Sequence, residues 1–477
     1  MRISEYFTLS RTQPELDFVD VDIFGDIKVF VDPRALRMLP SQWGAECVYL
    51  VKDFFSTVLK LIRNGYNSEA QRLLASLREP NETHLGLSQD RAQGRALGDG
   101  SAVDVWDSLR KSEAVRTGLL EDLEDTILMV EGVSLDIVSD MIINIIRGPL
   151  IIYTNAMSHL YGIPLSDGVA SGPLWNPKSH EWFQEYVNLP ITEYGKLLLV
   201  PKSIVRRKML YDLQEYYNNY ILEDLQEREL SSNSELVQLL KNGTRRVTKK
   251  ALREKYGQSK SFVIRETLNN PDLLRQYRSD KRNSYPPPLE HETFALVEDS
   301  DPPNWDNLLN QVISVETGRT YATAYEEAIE GLFTALFYPA LAHPQVQHEI
   351  HNGRKRIDIT YTNLAMKGFF YWLSVNYPAM HVFVECKNYG REIGNPELDQ
   401  LSGRFSPSRG QFGILACRSF DNKDLFIQRC IDTAKDHRGY IIPIDDYNLN
   451  ELTEFKKAND DRGEYLFFKR KFDVLIM

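Results

Sequence analysis

The chain reads as a multi-domain α/β protein, and three observations predict that class. At 477 residues it exceeds what one ordinary core organises, so two or three domains are expected. Through the last third, short β-branched and aromatic runs alternate with helix-period stretches, the order of a sheet covered by helices. Between that region and the rest lies NSYPPPLEHETFALVEDSDPPNW, whose prolines and acids predict an extended connector at 283–305. The divisions that follow are an N-terminal α+β module at 1–200, a basic helical segment at 201–282, the linker, and a C-terminal domain at 306–477.

Composition narrows the function classes. Net charge is −11, so the whole chain is no generic nucleic-acid glue, and contact with a polyanion needs local basic patches. Cys47, Cys386, Cys417 and Cys430 form no C-x-x-C pair, which argues against a zinc site or a disulfide framework and fits a reduced, cytoplasmic setting. The start, MRISEYFTLSR, lacks an apolar signal core. The best apolar stretch, MIINIIRGPLIIY, is broken by Arg147, Gly148 and Pro149, so no membrane association is expected.

Taken in order, DFVDVDIFGDIKVFVD at 17–32 alternates on both sides of Gly25-Asp26 and predicts a β-hairpin. Its Asp20, Asp22 and Asp26 lack the further ligands of a calcium loop and read as an acidic face. Residues 43–78 predict two helices split near Asn64-Gly65. Residues 80–115 read as loop-rich, with a surface turn in GRALGDGSA, and 125–133 as a strand. Ser134 is placed to cap a helix over 134–147. Asp136, Asp140, Asn144 and Arg147 share one of its faces, either a solvated face or an acidic ligand pocket. A long amphipathic helix is expected over 204–230.

The segment KNGTRRVTKKALREKYGQSKSF follows, with Arg245, Arg246, Lys249 and Lys250 in its densest part. Thr248 as a cap, Gly257 as a turn and SKSFVIRETL as a second helix outline a helix-turn-helix that would touch phosphates; the bland reading is a solvated helical linker.

From residue 306 the elements order well. A helix runs from about Ala322 to Tyr338, and strands at 346–350 and 356–362 flank Asn352-Gly353. An aromatic insertion, KGFFYWLSVNYP, precedes the buried strand HVFVECK. Asn395-Pro396 start a helix, and the strand QFGILAC, a helix at 424–437 and the strand YIIPI close the pattern. On a strand, residues two apart share a face, so Glu385 and Lys387 stand side by side, with Asp358 on the preceding strand. Two carboxylates beside a lysine supply hard oxygen ligands for a divalent cation and a positive charge for a developing anion.

An αβββαβ order with Asp358 and then Glu385-x-Lys387 resembles the PD-(D/E)-x-K nuclease superfamily, the restriction-endonuclease-like fold, and most of all its Mrr-type branch. The resemblance covers about residues 318–446. It implies a Mg²⁺- or Mn²⁺-dependent DNA endonuclease of the restriction or anti-phage type, with RNA as the other substrate. Asp358 and Glu385, with the backbone carbonyl of Cys386, resemble the metal ligands and Lys387 the catalytic lysine. Glu326 resembles the family's first-helix glutamate, with Glu327 and Glu330 as rivals, and Gln400 the polar residue after the motif. Ile357 stands where the superfamily name has proline, and the interval from Asp358 to Glu385 is long, which makes KGFFYWLSVNYP an excursion. Arg354, Lys355, Arg356, Arg391 and Arg404 are the nearby cations expected to hold a phosphate backbone, with Arg245, Arg246, Lys249 and Lys250 as a second patch. A dimer or a partner protein would suit cutting both strands. The rival readings are a nuclease-like fold that binds nucleic acid without cutting it, and a sensor whose ligand site at Asp136 and Asp140 switches the nuclease.

Overall fold

The computed structural model describes residues 1–86, 99–281, 284, 287–350, 355–389 and 393–477. The chain is mixed α/β, as the sequence predicts, with a five-stranded sheet in its C-terminal region. The N-terminal region is mostly helical. Its longest helix, Gln42–Arg63, starts where Ser41 Oγ accepts from the Gly44 N–H. Cys47, Leu50, Val51, Phe54, Phe55, Val58, Leu59 and Ile62 recur at helical spacing and are buried. Gly65, at φ 78°, ends that helix before a second over Asn67–Leu74. Ser134 caps Leu135–Ile145 as expected, its Oγ accepting from Ile137 N–H.

Several local expectations fail, the first two because the partners of those segments are remote in sequence. Residues 17–32 form no hairpin. Phe30–Val31 instead pairs antiparallel with Val205–Arg206, and isolated bridges join Phe18 to Pro201 and Ile27 to Leu85. Asp20 is buried, accepting from the backbone N–H of Ser4 at 2.9 Å and from its hydroxyl at 2.5 Å. The expected strand at 125–133 is a short helix, Asp125–Met129, in which buried Asp125 accepts from Arg278 and from the N–H groups of Glu121 and Asp122. A helix, Asp99–Lys111, occupies most of the second half of the loop-rich span, and 87–98, with much of GRALGDGSA, lie outside the described residues. The 204–230 helix begins later, behind the cap Asp212, as Leu213–Tyr216, a π turn Tyr217–Ile221, and Leu222–Ser231. The face of Asp140, Asn144 and Arg147 is buried rather than solvated. Arg147 donates to Asn144 Oδ1 at 3.0 Å and pairs with Glu82.

One cluster of buried side chains runs from Ile3 to Phe294 and also takes in Tyr338, Ala342 and Leu364 of the C-terminal region, so the helices of 201–282 share a core with the N-terminal region. The proline-rich connector is not wholly extended: His291–Glu298 is a helix that buries His291, Phe294, Ala295 and Glu298.

A second core runs from Leu308 to Leu475 around the large sheet. Its strands lie in sequence order: Leu341–Ile350, Lys355–Asn363, His381–Lys387, Phe412–Cys417 and Tyr440–Ile444. The first three are antiparallel and the last three mutually parallel. The aromatic insertion is the helix Gly368–Asn376. Helix Ala322–Phe337 packs on the first three strands, and Lys423–Lys435 and Asp461–Ile476 pack on the last.

Besides the apolar packing of Tyr338, Ala342 and Leu364, the two cores meet through buried polar contacts. Arg11 pairs with Glu330 of helix Ala322–Phe337 at 2.8 Å, and Glu330 also accepts from Thr334 Oγ1. A Cβ on Gly331 would meet the Arg11 guanidinium, so a larger residue there would push that side chain aside. Lys202 is wholly buried, donates to the carbonyls of Gln13 and Pro14, and lies 4.4 Å from the Tyr338 ring centroid. Burial pushes its ammonium down to about 8. His343 donates its backbone N–H to Asp17 at 2.9 Å.

Candidate active site

The site forms where two strands part. Pairing between Lys355–Asn363 and His381–Lys387 ends at Ile359 opposite Val384. The next residues along are Asp358 and Glu385, and the Asp358 carboxylate accepts the Cys386 N–H at 2.8 Å, closing the opening by side chain instead of backbone. Glu385 is fully buried on the face it shares with Lys387, whose ammonium donates to Glu385 Oε1 at 2.7 Å and reaches Gln400 Oε1 at 3.4 Å. Gln400 comes from helix Asn395–Ser402, with Pro396 in its first turn. Among the described residues Glu385 Oε2 is buried with no hydrogen-bond partner, an arrangement that is costly for a carboxylate and suits a cation.

The structure separates the three helix glutamates. Glu326 lines the same cleft, which has a volume of about 680 Å³ and also holds Asp358, Glu385, Lys387 and Gln400. Glu327 is exposed, and Glu330 points into the contact with Arg11. Glu326 Oε2 accepts from Gln347 Nε2 at 2.8 Å. Gln347 lies opposite Asp358 on the edge strand, between the pairs Val346–Ile359 and His348–Ile357, and holds φ at 51°, a left-handed conformation that non-glycine residues seldom adopt. Sequence reading missed Gln347, because a positive φ leaves no signature at a glutamine.

Burial and neighbouring charges act together on the acids of the cleft. Burial raises Asp358, partly offset by the Cys386 N–H, Lys387 and Arg404. Burial, then Asp358, raises Glu385 against the pull of Lys387. For Lys387, burial opposes the charged form, but Glu385 and Asp358 outweigh it, and its ammonium stays protonated above the ordinary lysine range. Burial and then Asp358 push Glu326 up to about 7.

That last shift carries a prediction for the metal-free protein. From the ordinary 4.5 up to about 7, the unfolded chain has lost the Glu326 proton and the folded chain retains it, so stability falls as pH rises through that window. Between pH 5 and pH 8 in EDTA, wild-type Tm should fall more steeply than that of Glu326→Gln. Parallel curves would refute the assignment.

The expected phosphate contacts divide. Arg404 is buried: its Nε donates to the Arg356 carbonyl and its Nη1 to the Gln400 carbonyl at 2.6 Å, so it braces the site and offers no surface to a backbone. Arg356 is exposed. Arg354 and Arg391 lie outside the described residues, as does the side chain of Lys355.

In the second patch, helices Lys249–Tyr256 and Lys260–Asn269 do flank Gly257. Two of its four cations are held by neighbours. Arg245 donates to the Leu230 carbonyl and Asn233, and Lys249 to the Asn218 carbonyl and Glu223. Arg246 and Lys250 are exposed, with Lys250 3.9 Å from Glu254. The acidic helix Leu222–Ser231 and the residues beside it hold Arg245 and Lys249, which a count of basic residues cannot reveal.

Among the described residues, no three or more His, Cys, Asp or Glu side chains gather as a metal cage; the cleft offers Asp358 and Glu385 with Glu326 nearby. Among them, no helix is long and apolar enough to cross a membrane.

Compared with known proteins, residues 8–212 match a family model described as a domain of unknown function (DUF8370). That span ends well before the C-terminal sheet and is similar to the family over less than half of the chain. No curated protein and no solved structure matches the chain.

Proposed function

We propose that this chain is a metal-dependent nuclease that hydrolyses phosphodiester bonds, a DNA endonuclease, with its site in a restriction-endonuclease-like core. The observation that carries the reading is the set Asp358, Glu385 and Lys387 at the parting of two strands, with a buried carboxylate oxygen of Glu385 that has no hydrogen-bond partner among the described residues. Asp358 and Glu385 would hold Mg²⁺ or Mn²⁺, joined by the Cys386 carbonyl as the sequence resemblance implies. When bound, such an ion activates water and stabilises charge on the reacting phosphate.

The remaining work falls to this chain's own groups. Lys387, held charged by Glu385, presents its ammonium to negative charge that builds on the phosphate during attack. Gln400 keeps that ammonium aimed into the cleft. Arg404 adds positive charge behind both carboxylates and fixes the Asp358 strand to the Gln400 helix. Restriction of foreign DNA is the role we attach to this activity, on the resemblance alone.

The test begins with plasmid, linear duplex, single-stranded DNA and RNA, each with Mg²⁺, Mn²⁺ or EDTA. Cutting of DNA that EDTA abolishes is expected; absence of cutting on every substrate and of any metal binding would sink the proposal. Independently of turnover, Mn²⁺ at about 100 times its Kd should stabilise the fold by about 2.7 kcal/mol, read as a rise in Tm. Asp358→Asn, which keeps an acceptor for the Cys386 N–H but removes the charge, should lose most of that rise.

A further inference from the structure

The cleft contains a cation that the catalytic set does not use. Arg319 lies on its rim, exposed, immediately before helix Ala322–Phe337. Among the described residues its guanidinium has no hydrogen bond and no ion pair. Three other cations near the cleft are committed. Lys387 is held by Glu385, and Arg404 by two carbonyls. Arg418 is held by Asp446 at 2.9 Å and by the carbonyls of Val315 and Ile313. A long side chain left unpaired beside buried carboxylates is free to meet a ligand from solvent.

The loop that carries Arg319 is fastened to the catalytic strand. Asn388, the residue after Lys387, is 3% exposed, and its Nδ2 donates to the Glu316 carbonyl at 2.8 Å and the Gly318 carbonyl at 3.3 Å. Gly318 returns its N–H to the Asn388 carbonyl at 2.9 Å. Gly318 sits at φ 134°, which only glycine adopts without strain, and there the chain turns to place Arg319 over the cleft. Arg418 Nη1 also lies 3.4 Å from Asn388 Oδ1, tying the same loop a second time. The rim is therefore braced by residues that touch the strand of Glu385 and Lys387, a rigid mount for a binding group.

We propose that Arg319 is a substrate-binding residue of this cleft, whose guanidinium grips a phosphate of the polynucleotide strand lying across Asp358, Glu385 and Lys387. The inference rests on the nuclease reading and extends it by assigning a phosphate contact that the sequence motifs do not contain. Guanidinium and phosphate pair as a fork with two parallel hydrogen bonds, which sets the strand's register as well as its affinity.

Fluorescence anisotropy of a labelled duplex oligonucleotide in EDTA, across a KCl series, provides the first readout. Cleavage of the same oligonucleotide with Mn²⁺ provides the second. Arg319→Ala should weaken binding about tenfold and lower the magnitude of the salt slope by about one, because one phosphate contact is lost. Arg319→Lys should keep the slope and recover part of the affinity, and Arg319→Glu should bind worse than Arg319→Ala. All three should melt with wild-type Tm, since the side chain is exposed and unpaired.

Wild-type binding, slope and cleavage in Arg319→Ala, on an enzyme that does cut, would overturn this inference and leave the nuclease reading intact. Equal loss in Arg319→Ala and Arg319→Lys together with a lowered Tm would also overturn it, by making the role structural. A wild-type protein that neither binds nor cuts any polynucleotide would remove the nuclease reading and this contact with it.

Discussion

Lys387→Ala should lower metal-dependent cleavage by at least about 100-fold, a loss typical of removing one preorganised charge from a transition state. The chain should still fold, because Glu385, deprived of its cation at 2.7 Å, can take up a proton and remain buried as a neutral acid. The comparison with Asp358→Asn separates two roles. Both variants should be inactive, but only Asp358→Asn should lose Mn²⁺ stabilisation, since Lys387 contributes charge and no ligand atom. Oligonucleotide binding in EDTA should persist in Asp358→Asn, where removing a negative charge eases the approach of phosphate. Cleavage that survives both substitutions would place the chemistry elsewhere in the chain.

Arg11→Ala should destabilise the protein by about 3 kcal/mol in urea unfolding, at the junction of the two cores. Glu330 is 1% exposed and its carboxylate is shared between Arg11 and Thr334, so loss of the guanidinium strands a buried charge. Burial already raises the Glu330 carboxyl, with Arg11 the principal opposing influence. Replacing both partners, as Arg11→Leu with Glu330→Leu, should recover much of the loss, because an apolar pair leaves no orphaned charge. An unfolding midpoint for Arg11→Ala within error of wild type would mean that the contact between the cores does not depend on this pair. Glu330 stands one turn from Glu326 on the same helix, so the unfolding series also tests how firmly the N-terminal region holds the wall of the cleft.

The candidate site was largely readable before the fold was known, for physical reasons particular to it. A strand repeats every two residues, so Glu385 and Lys387 had to share a face, and their 2.7 Å contact follows from local geometry alone. Asp358 was legible as an acid inside an apolar strand run. The long interval between the two strands is filled by the helix Gly368–Asn376, whose aromatic content gave no period to read. Gln400 followed from the Asn395-Pro396 helix start. Arg404 was misassigned because composition shows a charge but not its burial. Gln347, Asn388 and Arg319 went unassigned because a strained φ, a loop staple and an unpaired rim cation exist only once distant segments meet.

Sequence by itself determined the α/β class, the principal C-terminal strands and helices, the cap at Ser134, and the Glu385–Lys387 pair, all of which depend on periods and contacts within a few residues. Tertiary structure decided the rest. It chose Glu326 over Glu327 and Glu330 to face the cleft, paired 30–31 with 205–206 where a hairpin had been expected, and joined 201–282 to the N-terminal core. Those outcomes depend on which buried groups can satisfy one another across long separations in the chain, and that is settled by desolvation and close packing between segments, to which local pattern is blind.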